Sequence, residues 1–272
     1  MKVNNPPVPA PSLTNRSPED RCGTPLPQDV AGAEAAIRQA MQRTAEASSF
    51  TVIPVVVHVV KKNATTGAVP QAQIEAQIQT LRDAYKDHGF GFELKQVTET
   101  QNPAWYAAGP GTSAEVAMKK KLHQGDATTL NLYTSAPQGG VLGWAQFPSD
   151  QATNPTGDGV VILNTALTGG QAPFDEGDTA VHEVGHWLGL WHTFNQSKGP
   201  GLPLGDEISD TPEHNVNYGK PPQGTDTLPN KPGLDPIDNY MNYVDDAAMD
   251  KLTVEQRERI AASWKAFREP AE

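Results

Sequence analysis

The stretch HEVGHWLGLWH, residues 182–192, puts three histidines and a glutamate within eleven residues. At about 100° per residue, His182 and His186 lie one turn apart on one helix face, where two imidazoles can grip one ion. His192 comes six residues later, about 120° off that face, so the chain must leave the helix and double back before it can join them. Gly189 is the residue able to do this, because without a Cβ it accepts positive φ. The spacing reads as two ligands on a helix, a turn at glycine, and a third ligand returning. Three histidines leave one position of a zinc ion open, the arrangement of a catalytic rather than a structural site. Water in that position has its pKa lowered from about 16 to about 7. Glu183 follows the first ligand, so its side chain passes the metal and is placed to take the water's proton and deliver it to a leaving amine. A histidine pair alone on an apolar helix is more often core or surface. With Glu183, Gly189 and His192 all in register, the set points to a zinc enzyme.

Elements of both kinds must position this set. TVIPVVVHVVKK (51–62) is β-branched and reads as a buried strand. PQAQIEAQIQTLRDAYKDH (70–88) opens on proline and carries Ile74, Ile78, Leu81 and Tyr85 on one face, a helix. Strands are expected at 90–97, 129–135, 141–147 and 159–164, and helices at 29–48, 113–122 and 253–267, the last with Thr253 as its cap. Asp175 or Asp178 is the expected cap of the helix carrying His182 and His186. Residues 1–27 are Pro-rich and read as extended, and the chain from His192 to about 250 is loop-rich. A strand-and-helix half, 50–192, thus precedes a mostly irregular half, 193–272, with the histidines at the join, where a cleft forms.

Of 272 residues, 37% are hydrophobic, a globular composition. Lys and Arg total 21 against 32 Asp and Glu, a formal net charge of −11, which argues against nucleic acid or an anionic membrane as partner. No apolar run approaches the length of a membrane span. The opening MKVNNPPVPAPSLTNRSPEDR lacks the apolar core of a signal peptide, which leaves three readings: the peptide has been removed, export takes another route, or the protein stays inside the cell. Cys22 is the single cysteine, so no intramolecular disulfide forms.

HEVGHWLGLWH matches the pattern H-E-x-x-H-x-x-G-x-x-H of metzincins. NYMNY (239–243) supplies the methionine turn these proteases carry after the third histidine. HTF (192–194), GDEISDTP (205–212), GLDPIDNYMNYVDD (233–246) and VLGWAQFP (141–148) resemble the pappalysin branch, the ulilysin- and cytophagalysin-like proteases of family M43. The resemblance implies an α+β fold: a twisted mixed β-sheet with a backing helix and the zinc-bearing helix, then an irregular C-terminal subdomain ending in a helix. It implies a secreted zinc endopeptidase made as a latent precursor and acting on peptides or proteins, with residues 1–49 as pro-segment. Within it, Met241 forms an apolar floor beneath the zinc, and the Tyr243 hydroxyl lies near the metal to stabilise an oxyanion. The strand with Gly143, Trp144 and Ala145 pairs with substrate backbone. Cys22, in RCGTP, closes the zinc as a cysteine switch, its alternative being a free tail thiol. Asp206, Asp210 and Thr211 offer oxygens to calcium, a solvated acidic loop being the alternative. Asp245 and Asp246 follow the methionine turn, where the family builds the pocket after the scissile bond. They select Arg or Lys there, or form a solvent-facing acidic turn. One departure stands out: relatives carry disulfides in this half, whereas Ser197, Leu228 and Ala248 stand at the approximate places here, which counts against an oxidising compartment. A non-catalytic peptide binder has no chemical need of Glu183, and a zinc amidase has no need of a peptide-pairing strand.

Overall fold

The structure, a computed structural model, describes residues 21–43, 50–199, 202 and 204–269. Most of the expected extended segment 1–27, the tail of the expected helix 29–48 and the junction at 49 therefore lie outside the described residues. The elements are α1 (Val30–Arg43), β1 (Thr51–Lys61), α2 (Gln71–Tyr85), β2 (Phe90–Gln101), α3 (Pro103–Tyr106), α4 (Ser113–Leu122), β3 (Leu130–Ser135), β4 (Gly143–Ala145), β5 (Val160–Leu163), α5 (Asp178–Trp187), β6 (Tyr218–Gly219), β7 (Tyr243–Val244) and α6 (Val254–Phe267). This is the α+β arrangement expected.

Five strands form one mixed sheet in the order β2-β1-β3-β5-β4. The four strands β2, β1, β3 and β5 pair in parallel, and β4 runs antiparallel along the edge of β5. β1 is almost continuously buried, as a β-branched strand between two neighbours should be. β2 runs to Gln101, four residues beyond its expected end, because it pairs with β1 along that strand's whole length. Helix α2 lays Ile74, Ile78, Leu81 and Tyr85 onto the sheet. The Tyr85 hydroxyl then donates to the Val181 carbonyl (2.8 Å), tying the backing helix to α5. Helix α6 opens with a capping box between Thr253 and Gln256, the expected cap. Beyond its end, the Arg268 guanidinium forms a fully buried pair with Asp158 (2.8 and 3.0 Å) and donates to the Trp187 carbonyl, anchoring the end of α5. No helix among the described residues is long and apolar enough to cross a membrane.

Candidate zinc site and cleft

All ten residues of α5 are buried. Neither expected aspartate caps it. The residue before the helix is Gly177 (φ 90°), and the free backbone N–H groups of Glu176, Gly177 and Asp178 converge on the carboxylate of Asp246 (3.0–3.4 Å). A carboxylate at a helix N-terminus meets both the unpaired donors and the dipole. At the other end Gly189 takes φ 102°, and the Leu190 N–H returns to the Gly185 carbonyl (2.9 Å), a Schellman closure. The chain doubles back as the spacing requires, and His192 reaches the other two histidines.

The three Nε2 atoms lie 3.1, 3.1 and 3.2 Å apart. Each Nδ1 faces an oxygen that can only accept: the Tyr240 carbonyl for His182 (2.7 Å), the Leu190 carbonyl for His186 (2.7 Å) and the Gln196 amide oxygen for His192 (2.6 Å). The Nδ1 atoms therefore carry the protons, and three Nε2 lone pairs point at one another. Such a set repels itself unless a cation stands between, and its edges approach the about 3.3 Å expected for nitrogens about 2.05 Å from a tetrahedral zinc. Burial holds the imidazoles neutral, His182 down to about 3 and His192 down to about 4, with His186 also well below its ordinary value. The residues present fit a zinc ion. Met241 is fully buried under α5, and Gly185 makes room for it, since a Cβ there would run into the Met241 sulfur.

Cys22, His182, His186 and His192 form one potential metal-binding group, their donor atoms all within 4.8 Å of one another. The Cys22 thiol also donates to Glu183 (3.5 Å), and Thr24 donates its hydroxyl to the same carboxylate oxygen (2.7 Å) while accepting from the Ala145 N–H (2.8 Å). Burial pushes the Glu183 carboxyl up to about 8, with Thr24 and Cys22 pulling the other way. Burial and then Glu183 raise the thiol; a bound cation reverses that preference. Around Cys22 the segment pairs parallel with β4: Gly23 N–H donates to the Gly143 carbonyl and Leu142 N–H to the Arg21 carbonyl (2.9 Å each). A Cβ on Gly143 would press to 2.8 Å of the Glu183 Cγ, so glycine is required for the strand and the Glu183 side chain to approach. The Trp144 side chain is buried, its indole N–H donating to Glu115.

The fungal Extracellular metalloprotease 1 of Coccidioides posadasii is 39% identical over 206 residues, covering 74% of this chain and 72% of its own. An extracellular metalloprotease of Pyricularia oryzae is 38% identical over 265 residues, covering 92% and 90%. The peptidase M43 family model, described as Pregnancy-associated plasma protein-A, matches residues 131–264. The chain belongs to the peptidase M43 family. Among solved structures of M43 fold, a Tannerella forsythia promirolysin mutant aligns with TM-score 0.75 at 25% identity, covering 91% of this chain and 95% of that one. Mature mirolysin in complex with a cleaved peptide aligns with TM-score 0.68 at 29% identity, covering 79% and 91%. As an M43 member, the chain is a zinc metalloendopeptidase, and the α+β metzincin fold expected for it is the one found.

The remaining expected site residues divide. Tyr243 packs its ring against His182 and His192 (5.7 and 4.8 Å between centroids) and lines the same cavity as Cys22 and Glu183. Asp245 pairs with the Arg21 guanidinium (3.2 Å), which also donates to the Tyr243 carbonyl and lies 4.6 Å over the Phe174 ring. Asp246 borders a cavity also lined by Arg21, Phe174 and Glu183, yet it is buried at the start of α5 rather than facing solvent. Asp206, Thr211 and Asp210 do not converge as the histidines do. Asp206 accepts from the Thr211 hydroxyl (2.8 Å), while Asp210 turns to the Glu255 N–H (3.0 Å) at the start of α6. The loop's charge is met by the buried Lys198 ammonium, on Glu207 (2.9 Å) and the Gly205 carbonyl (2.8 Å). Sequence reasoning passed over Arg21, Thr24 and Gln196. Their signal was position: two flank the cysteine in RCGT, and the third stands four residues past a ligand histidine.

Proposed function

We propose that the chain is the latent precursor of this endopeptidase: residues 1–49 form the pro-segment, 50–192 and 193–272 are the two halves of the catalytic domain, and the cleft between them binds extended polypeptide along β4. The observation that carries this reading is one carboxylate, Glu183, beside three convergent imidazole lone pairs and held by Thr24 and Cys22 of the N-terminal segment. Zinc, when bound by His182, His186 and His192, supplies a Lewis acid and acidifies a water. Glu183 would take a proton from the attacking water and pass it to the leaving amine. The Tyr243 hydroxyl donates to the oxyanion. With the pro-segment in place Glu183 is not free, because Thr24 and Cys22 both bond to it. Cys22 would serve as the fourth ligand of a zinc held there, its sulfur lying within 4.8 Å of the donor nitrogens of the three histidines.

Arg21 supports a preference for a basic residue after the scissile bond. A cationic side chain of the protein itself lies in the cavity beside Asp245 and Asp246, stacked on Phe174. The relatives named extracellular support secretion. The partners are peptides or proteins. No step is assigned to calcium, because the donors of the 206–211 loop are turned to one another and to α6.

The test is hydrolysis of casein and of quenched peptides by the full chain and by enzyme freed of residues 1–49, with and without chelator. Activity should appear on removal of the pro-segment and vanish with chelation. Glu183→Ala should fold, hold zinc and lose at least about a hundredfold in rate. Near-normal hydrolysis by that variant would remove Glu183 from the mechanism.

A further inference from the structure

Helix α1 docks through contacts separate from those on the zinc. Its Glu34 carboxylate is buried (3% exposed) and receives three donors: the Trp191 indole N–H (2.6 Å) and both terminal nitrogens of Arg259, Nη1 at 3.1 Å. Arg259 is held in turn by its Nε on the Gly189 carbonyl (2.9 Å). That bond lies within the enzyme body, so the guanidinium fork is oriented without help from α1. Bidentate pairing to a fixed fork is the geometry that recognises a carboxylate. Apolar burial surrounds it: Val30 clusters with Phe147 and Trp191, and Ala33 and Ile37 are buried on the same helix. The site also borders the zinc ligands. Trp191 packs at a tilt against Phe147 (4.5 Å between centroids), which meets the His186 ring (5.4 Å), and Gly189 is the turn that returns His192.

We propose that Arg259 and Trp191 form a receptor for a helix-borne carboxylate, and that its occupant, this chain's own α1, stays docked after the backbone is cut between Arg43 and Phe50. The inference rests on the latency reading. Cutting at that junction is then insufficient for activation. The excised segment remains a non-covalent inhibitor, holding Cys22 and Thr24 over Glu183, until α1 itself is degraded or displaced. Removing one partner of a buried, bidentate charge pair leaves the other unpaired in a low-dielectric site. Glu34 should therefore dominate retention. The Arg38–Glu207 pair (2.9 Å), whose arginine is mostly exposed, should contribute little.

The experiment uses the full chain with a specific protease site in place of residues 44–49, cut once, then passed through gel filtration and assayed on a quenched peptide. The N-terminal fragment should co-elute with the enzyme, and activity should stay near the uncut level. Glu34→Gln, which keeps helix propensity, should weaken retention about a hundredfold, release the fragment on the column and unmask activity. Cys22→Ser should still co-elute, which separates this docking from the cysteine switch, and Arg38→Glu should release little. Release of the wild-type fragment on cutting, as fast as from Glu34→Gln, would overturn the receptor. So would equal release from Arg38→Glu. If the latency reading itself were wrong, the uncut chain would already be active, and co-elution would still decide whether α1 docks.

Discussion

Replacing Gly189 by alanine tests whether the turn after α5 sets the third ligand. Its φ of 102° lies in the region L-residues avoid, at a cost of about 1–2 kcal/mol. A Cβ there would also collide with the Ser263 hydroxyl and stand 2.9 Å from the Ser263 Cβ. Ser263 is buried on α6, so relief requires moving packed backbone, and overpacking of this kind costs about 1–3 kcal/mol. Together the folded chain should lose about 2–5 kcal/mol. At about 2–4 °C per kcal/mol for a chain of this size, the melting temperature should fall by about 4–20 °C. The site should feel it as well, since the next residue's carbonyl holds the His186 Nδ1 and the Gly189 carbonyl holds Arg259. Zinc affinity, measured by competition with a chromophoric chelator, should fall about ten- to a hundredfold, the scale for disturbed support of a ligand. Adding Ser263→Ala should restore part of the melting temperature by removing the nearest atom, but none of the φ cost. Gly189→Ala with wild-type melting and zinc affinity would refute the reasoning, because both penalties would have to be absent.

Gln196→Ala should lower zinc affinity about ten- to a hundredfold by freeing the His192 Nδ1; full zinc content at limiting free metal would rule that support out. Tyr243→Phe in the trimmed enzyme should cut kcat about a hundredfold with little change in KM; a change in KM alone would make the hydroxyl a ground-state binder. Burial, followed by repulsion from Asp246, pushes Asp178 up to about 8, and burial pushes Asp246 up to about 7. The folded chain therefore holds protons that the unfolded chain releases near about pH 4. This contribution is full below about pH 4 and is lost as pH rises toward about 8, so stability falls across that window. Asp178→Asn should flatten the fall in thermal scans between about pH 4 and 8; unchanged profiles would discount the pair.

His182, Glu183, His186, the turn at Gly189 and the return of His192 were legible in the sequence because helix periodicity and glycine's backbone freedom act over a few residues. The same locality made β1, α2, α4 and α6 readable from β-branching, apolar spacing and the Thr253 cap. What tertiary structure decided lies in pairings across the chain. The cap of α5 is Asp246, some seventy residues away, rather than Asp175 or Asp178. A buried helix end takes whichever carboxylate the packing delivers to its free N–H groups, and local preference cannot name it. The far end of β2 was set by the strand beside it. Arg21 and Thr24 acquire roles only when their segment lies along β4, and Glu34 only when α1 meets Arg259, 225 residues on. Those contacts owe their strength to burial, and burial is a property of the packed whole, not of any window of residues.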